Sequence, residues 1–292
     1  MATHEGEARQ DNQQAARSGN RRGDGVALSA SEEREVEHKL PPSVQVLHEA
    51  VRIQGEMEMS RSMPALAWSS LAAGLSMGFS MLVPALLQVQ LPDGPAWKLV
   101  ATSGYAVGFL IVILARQQLF TENTTTAVLP LMTHPGLRPL LRLLRLWGIV
   151  LLGNILGGAV FAFAIGHMPI VEPAVHGAMR AAALELLGNA PWALFSKGIV
   201  AGWLIATLVW LLAAAEHARP LVIVLLTWLV GIGGFAHVVV GSTEVLFLVF
   251  EGGAGPGQFV AFLLPTLAGN VVGGSVIFAL ISHAQVRSDE PG

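Results

Sequence analysis

The sequence has no cysteine and few charged residues. The absence of cysteine excludes disulfide bonds and metal sites built on thiolates. Asp, Glu, Lys and Arg together make up 13% of the 292 residues, whereas a soluble domain has roughly 25%. Hydrophobic residues contribute 53%, and the mean hydropathy is +0.58. We therefore expect an integral membrane protein whose main partner is the lipid bilayer.

Several motifs typical of other functions are also missing. There is no basic patch with interleaved aromatic residues, so we expect no nucleic acid partner. The sequence contains neither GxSxG nor HExxH, and it has no ATP-binding motif. We therefore expect no enzymatic activity, no cofactor and no metal. Any transport would have to be driven by gradients.

The polar residues are concentrated at the ends of the chain. Residues 1–42 are rich in charge, Gly, Gln and Asn, and this composition predicts a disordered cytoplasmic tail. Residues 43–62 have apolar positions at helical spacing, which predicts an amphipathic helix at the membrane surface. A membrane domain is predicted over 63–284, followed by a short cytoplasmic tail over 285–292.

The membrane domain contains six apolar segments, taking about 20 residues as one crossing. They run approximately over 65–88, 97–132, 144–165, 194–215, 221–250 and 257–281. Basic residues are more frequent on the side of the tails, so the positive-inside rule places both termini in the cytoplasm. We expect an all-α fold of six transmembrane helices in the inner (plasma) membrane of a bacterium.

The second and fifth segments are too long for one simple helix. Each has a polar or glycine-rich interruption, at 116–124 in the second and at 233–244 in the fifth. Backbone leaves the helix at membrane depth only where it is buried in protein or lines a wet cavity. Broken helices in matching positions of two halves are typical of a transport site. We therefore expect helices two and five to be broken.

The two halves of the domain share a motif. Gly153-Asn154 in the third segment matches Gly269-Asn270 in the sixth at an offset of 116 residues, and the same offset relates Thr121 to His237. Three segments per half is an odd number, so the second half must be inverted in the membrane relative to the first. The pattern predicts an inverted 3+3 repeat.

With its motifs in this order, the chain resembles the formate/nitrite transporter family from about residue 43 to 282. The matching pieces are Leu119-Phe120-Thr121 with Asn123-Thr124, Gly153-Asn154, Gly234-Phe235-Ala236-His237 and the run 264–270. The resemblance implies an aquaporin-like fold and a homopentamer with one pore per protomer. It also implies passage of small monovalent anions or their conjugate acids.

The resemblance also implies positions for the pore residues. His237 is expected to face Thr121 between two apolar constrictions, formed by Tyr105, Phe109, Leu119, Phe120 and Val230. The chain departs from the family pattern at Gly241 and Gly202, where the family commonly has asparagine. It also departs at Arg116, where a small glycine is usual. This pattern resembles a divergent branch of the family.

Each candidate residue also has a purely structural interpretation. His237 is either a neutral imidazole bonded to backbone or a group that donates a proton or places positive charge in a dry constriction. Thr121 either caps the helix that follows it or donates to a passing oxyanion. We favour the functional role for both, because the two residues lie in paired helix interruptions.

Four charged residues near these interruptions need an explanation. Arg116 is expected to form an internal ion pair with Glu122 or Glu244 that pins the broken helices. In the alternative, these groups form a charged selectivity filter. Lys197 either reaches the membrane interface or attracts anions to the pore mouth.

The sequence thus favours a channel or secondary transporter for small monovalent anions or weak acids, similar to formate and nitrite, with His237 at its centre. Two alternatives remain. One is a pathway for cations or neutral solutes built around Glu122 and Glu244. The other is a membrane protein with a structural role and no transport.

Overall fold

The computed structural model describes residues 28–40, 42–215 and 217–288. Within these ranges the chain is helical and contains no β-strand. Its internal contacts divide the chain into two units, residues 1–42 and residues 43–292.

The first unit contains one described helix, α1 (Ala30–Lys39), inside the tail predicted to be disordered. The predicted tail therefore contains a helical stretch, and residues 1–27 and 41 lie outside the described part. A capping box explains the helix. The backbone N–H of Ser29 donates to the Glu32 carboxylate at 2.8 Å, and the backbone N–H of Glu32 donates to Ser29 Oγ at 3.4 Å.

The second unit begins with α2 (Val44–Ser60), in the segment predicted to be an amphipathic helix. Ser43 caps its start, since Ser43 Oγ accepts from the backbone N–H of Val46. On the exposed face, the guanidinium of Arg52 pairs with Glu49 at 2.6 Å and with Glu56 at 2.5 Å. The opposite face is buried, at His48, Val51, Gly55 and Met59.

Most of the second unit consists of helices long and apolar enough to cross a membrane. Among the described residues, five helical stretches meet this criterion: Met63–Gln90, Pro95–Leu114, Leu137–His167, Pro191–Ala214 and Pro256–Ser288. Two shorter apolar helices, Arg219–Ile232 and Val238–Phe250, follow one another along the chain.

After α2, the second unit contains the following elements. Before the first interruption lie α3 (Met63–Met77), α4 (Phe79–Gln90), α5 (Pro95–Thr102), a 3₁₀ turn (Ser103–Tyr105) and α6 (Ala106–Leu114). After it lie α7 (Phe120–Thr126), α8 (Val128–Thr133), α9 (Leu137–His167), α10 (Pro173–Leu187), α11 (Pro191–Ala214) and α12 (Arg219–Ile232). The chain ends with α13 (Val238–Phe250), α14 (Pro256–Val271), a π-helical segment (Val272–Ala279) and α15 (Leu280–Ser288).

α15 extends into the segment predicted as the C-terminal tail. The tail was predicted to begin at residue 285, whereas the helix continues to Ser288, and residues 289–292 lie outside the described part. His283, in the same helix, lies beside α2. The two histidines make a direct contact, with His48 Nε2 and His283 Nδ1 3.2 Å apart.

Lowering the pH is expected to loosen α2. Burial lowers the pKa of His48, and the charges of His283, Arg52 and Arg287 lower it further, against an opposing effect of Glu49. A histidine whose pKa is lowered on folding binds fewer protons in the folded state. Its docking is therefore strongest above the ordinary value of about 6.5 and weakens as the pH falls below it. Amide hydrogen exchange in α2, corrected for intrinsic rates, is expected to be faster at pH 5.5 than at pH 7.5.

The matched variant His48→Gln should remove this pH dependence, because glutamine keeps a polar side chain that does not titrate. An equal acceleration of exchange at low pH in the wild type and in the variant would assign the effect to other groups.

Candidate functional site

The two helix interruptions meet at His237 and Thr121. Both side chains are buried, and His237 Nε2 lies 2.8 Å from Thr121 Oγ1. His237 Nδ1 accepts a hydrogen bond from the backbone N–H of Val240 at 3.4 Å. That contact requires an unprotonated Nδ1, so the proton of the neutral ring lies on Nε2, which donates to the threonine hydroxyl. The two side chains are therefore in direct contact, and the imidazole has a defined tautomer.

Two buried asparagines hold the interruptions in place in the same way. Asn154 Oδ1 accepts from the backbone N–H of Phe120 at 2.9 Å, while its Nδ2 donates to the carbonyls of Gln118 (2.8 Å) and Ser70 (2.9 Å). At Asn270 the corresponding bonds go to Val238 N–H, Ala236 O and Gly198 O, each at 2.9 Å. Sequence reasoning used this motif only to match the two halves and missed the role of its asparagines.

These bonds correct the predicted correspondence between Thr121 and His237. Asn154 binds the two residues that flank Leu119, the N-cap of α7. Asn270 binds the two residues that flank His237, the N-cap of α13. The matching residue of His237 is therefore Leu119. Thr121 lies two positions further along α7. The offset of 116 residues relates the two asparagines but not the two interruptions. The reason is that the number of residues between the interruption and the asparagine differs between the two halves.

The backbone before the two caps supports the same correspondence. Arg116 and Gly234 both have positive φ, at 53° and 57°. Each stands where an apolar helix ends, three residues before the cap. Glycine adopts this left-handed conformation without penalty, whereas arginine does not. In the first interruption, Arg116 thus occupies the left-handed position that Gly234 occupies in the second.

The predicted apolar residues surround this contact unequally. The ring of Phe109 meets the imidazole of His237 edge-on, with centroids 5.0 Å apart, and Tyr105 lies against Phe109 at 5.6 Å. The ring of Phe120 packs on Trp147 at 5.8 Å. Phe109, Leu119, Phe120 and Val230 are all buried.

A cavity of about 490 Å³ leads to His237. Of the predicted residues, it is lined by Tyr105, Val230, His237, Glu244 and Lys197. Phe109, Thr121, Leu119 and Phe120 lie outside its lining. Sequence reasoning also missed several further polar residues of this cavity, among them Gln88, Lys98, Glu185 and Asn189. They come from three separate helix ends, and their isolation in apolar surroundings was the only available signal.

Lys197, in the second turn of α11, is held in place by a residue that follows the end of α10. Lys197 Nζ donates to Asn189 Oδ1 at 2.7 Å, and both residues line the cavity. The ammonium group therefore has a fixed neighbour and still faces the cavity. Of the two interpretations given above, this position agrees with attraction of anions to the mouth.

The predicted ion pair of Arg116 is wrong. Within the described ranges, no ion pair joins Arg116 to Glu122 or to Glu244. Arg116 is exposed and lies in the turn before α7, so helical spacing does not carry its side chain towards Glu122. Glu244 lines the cavity on another helix.

A different polar network supports the first interruption. Gln118 Nε2 donates to Glu58 Oε2 at 2.5 Å, and Glu58 also pairs with Arg61 at 3.2 Å. Asn123 Nδ2 donates in turn to Gln118 Oε1 at 3.0 Å. These bonds tie the end of α2 to the interruption between α6 and α7. No sequence pattern joined these distant residues.

Comparison with known proteins bears on this architecture. The family model described as formate/nitrite transporter matches residues 45–284. The chain belongs to the formate/nitrite transporter family. Members of this family are channels and transporters and not enzymes.

Its relatives include an inner membrane protein and a probable formate transporter. The chain is 49% identical over 254 residues to the inner membrane protein YfdC of Escherichia coli (strain K12), covering 87% of this chain and 82% of that protein. It is 26% identical over 208 residues to a probable formate transporter of Methanothermobacter thermautotrophicus, covering 63% of this chain and 73% of that protein.

Solved structures show the fold. An ion channel of this family aligns with a TM-score of 0.69 at 20% identity, covering 83% of this chain and 98% of that one. A pentameric formate channel with formate bound aligns with a TM-score of 0.66 at 18% identity, covering 78% and 98% respectively. The all-helical membrane architecture expected from the sequence is therefore the fold of these channels.

Proposed function

We propose that the chain is a channel or secondary transporter for small monovalent anions, with formate and nitrite as the first candidates. The observation that carries the proposal is the bond between Thr121 and His237, which lines the cavity. An anion that leaves water for an apolar constriction loses a large hydration free energy. Hydrogen-bond donors at the constriction lower that cost, and the solute crosses as, or nearly as, the neutral acid.

The proposed architecture has six membrane crossings in an inverted 3+3 repeat. The first broken helix consists of α5 and α6 before the interruption and of α7 and α8 after it. The second consists of α12 and α13. The matching asparagine bonds and the matching left-handed residues support this arrangement. A homopentamer agrees with the named assembly of the formate channel that shares the fold. Both termini would face the cytoplasm, and the inner membrane agrees with the name of the Escherichia coli relative.

A cation pathway is the second candidate. It is supported by Glu122 and Glu244, because neither carboxylate has an ion-pair partner among the described residues. An acidic pore lining favours cations. The lysines at the cavity mouth, Lys98 and Lys197, oppose this preference. For that reason we rank the anion pathway first.

Uptake of formate and nitrite into proteoliposomes tests the proposal. Wild-type uptake is expected to be faster at acidic than at neutral pH, and His237→Asn is expected to reduce it by about tenfold or more, which corresponds to ~1.4 kcal/mol of barrier. The matched control is His167→Asn, because His167 is exposed at the end of α9 and bonds only to the carbonyl of Phe163. Flux of sodium or potassium without any flux of either anion would contradict the proposal in favour of the cation pathway.

A further inference from the structure

Glu244 shares one face of α13 with His237. His237, Gly241 and Glu244 follow a spacing of four and then three residues, and all three line the cavity. Two helical turns separate the histidine and the carboxyl group, a rise of about 10 Å. Gly241 contributes no side chain between them. The carboxyl group and the imidazole therefore line the same cavity about two helical turns apart.

Glu244 differs from the next acidic residue on the same helix. Glu251, seven residues later, binds His176 and also accepts from Arg180 NH1 at 3.3 Å. Glu244 has neither a hydrogen bond nor an ion pair to any described residue. An ionised carboxylate at membrane depth without a partner carries a free-energy cost of several kcal/mol. A proton taken up by the carboxylate would relieve that cost.

The other charges of the cavity favour the arrival of anions. Lys98 and Lys197 line the same cavity as Glu244, and Lys197 is held by Asn189. Cationic side chains in a cleft raise the local concentration of anions. Glu185, which is exposed, is the other acidic residue of the lining. Anions attracted by the lysines therefore meet Glu244 within the same space.

His237 is less suited to supply a proton to such an anion. Its Nδ1 accepts from Val240 N–H, its Nε2–H donates to Thr121, and the side chain is only 2% exposed. Both ring nitrogens are therefore committed to protein groups. The carboxyl group of Glu244 faces the cavity with no such commitment.

We propose that Glu244 is the proton donor of the cavity half of the pathway and protonates a weak-acid anion before it reaches His237. The O–H bond of the glutamic acid breaks, and an O–H bond forms on the anion, which becomes the neutral acid. The glutamate left behind takes a proton from cavity water. This inference rests on the anion pathway proposed above and adds the residue that couples it to protons.

The test measures formate and nitrite uptake by proteoliposomes of the full chain between pH 5 and pH 8. Glu244→Gln keeps the size and polarity of the side chain but cannot exchange a proton. We expect its maximal rate to fall by about tenfold or more and its pH dependence to flatten. The substrate concentration for half-maximal rate should change little, because the lysines remain. Glu172→Gln, the matched change of charge at an exposed residue outside the cavity lining, should keep the wild-type profile.

Glu244→Asp completes the design, since it keeps a carboxyl group that exchanges protons. We expect it to retain a pH-dependent rate. Loss of pH dependence in both Glu244 variants with an unchanged thermal unfolding temperature, or a wild-type pH profile in Glu244→Gln, would overturn the inference. So would a change confined to the half-maximal concentration. If the wild type itself moves neither anion, it is the anion pathway that fails.

Discussion

Replacement of Asn270 by leucine is expected to destabilise the folded protein by about 2–6 kcal/mol. The side chain is fully buried, and it satisfies Val238 N–H and Ala236 O in the interruption between α12 and α13. Leucine has a similar volume but no polar atoms, so these backbone groups would remain buried without partners. Each such group costs about 1–3 kcal/mol. Thermal unfolding of the purified protein in detergent measures the loss.

Asn154→Leu is expected to have a similar effect, because Asn154 makes the corresponding bonds in the first interruption. The matched control is Asn189→Leu, in which the lost bonds to the carbonyls of Glu185 and Leu186 and from Lys197 Nζ lie in a partly exposed region. A wild-type unfolding temperature for Asn270→Leu would show that the interruption is held by packing and not by these bonds.

Much of the membrane architecture follows from local sequence patterns. Long apolar runs predict the helices because a bilayer fixes the length of a crossing. The interruptions are recognisable because polar groups and glycines disturb these runs, and the structure has non-helical backbone after Leu114 and after Ile232. The helix bounds at both chain ends were less predictable. A capping box at Ser29 starts a helix in a segment whose composition alone suggests disorder.

The candidate site was predicted in part, for a physical reason. His237 and Thr121 lie in recognisable interruptions, and their contact follows once the interruptions face each other. The ion pair of Arg116 was wrong because helical spacing does not continue through a left-handed turn. The cavity lining was also out of reach, since Lys98 and Glu185 come from helix ends far apart in the sequence. Such contacts depend on how helices pack, which no local pattern specifies.

Replacement of Gly157 by valine is expected to prevent α3 and α9 from packing at their present distance. A Cβ atom at Gly157 would lie 2.2 Å from the carbonyl oxygen of Leu71 and 2.7 Å from the backbone nitrogen of Leu75. Both atoms belong to backbone, so a side-chain rotation cannot relieve the overlap. Overpacking of this kind typically costs about 1–3 kcal/mol, and more where backbone must move. We expect most of the expressed variant to aggregate on size-exclusion chromatography.

Gly148→Val provides the matched control on the same helix. A Cβ atom at Gly148 has no neighbour within 4 Å, so the same substitution adds the same side chain to α9 without a clash. This variant should give a monodisperse peak and an unfolding temperature close to that of the wild type. Equal behaviour of the two variants would mean that valine disturbs α9 itself. A difference confined to Gly157 would assign the effect to the close approach of the two helices, which places Asn154 against α3 and thereby holds the first interruption.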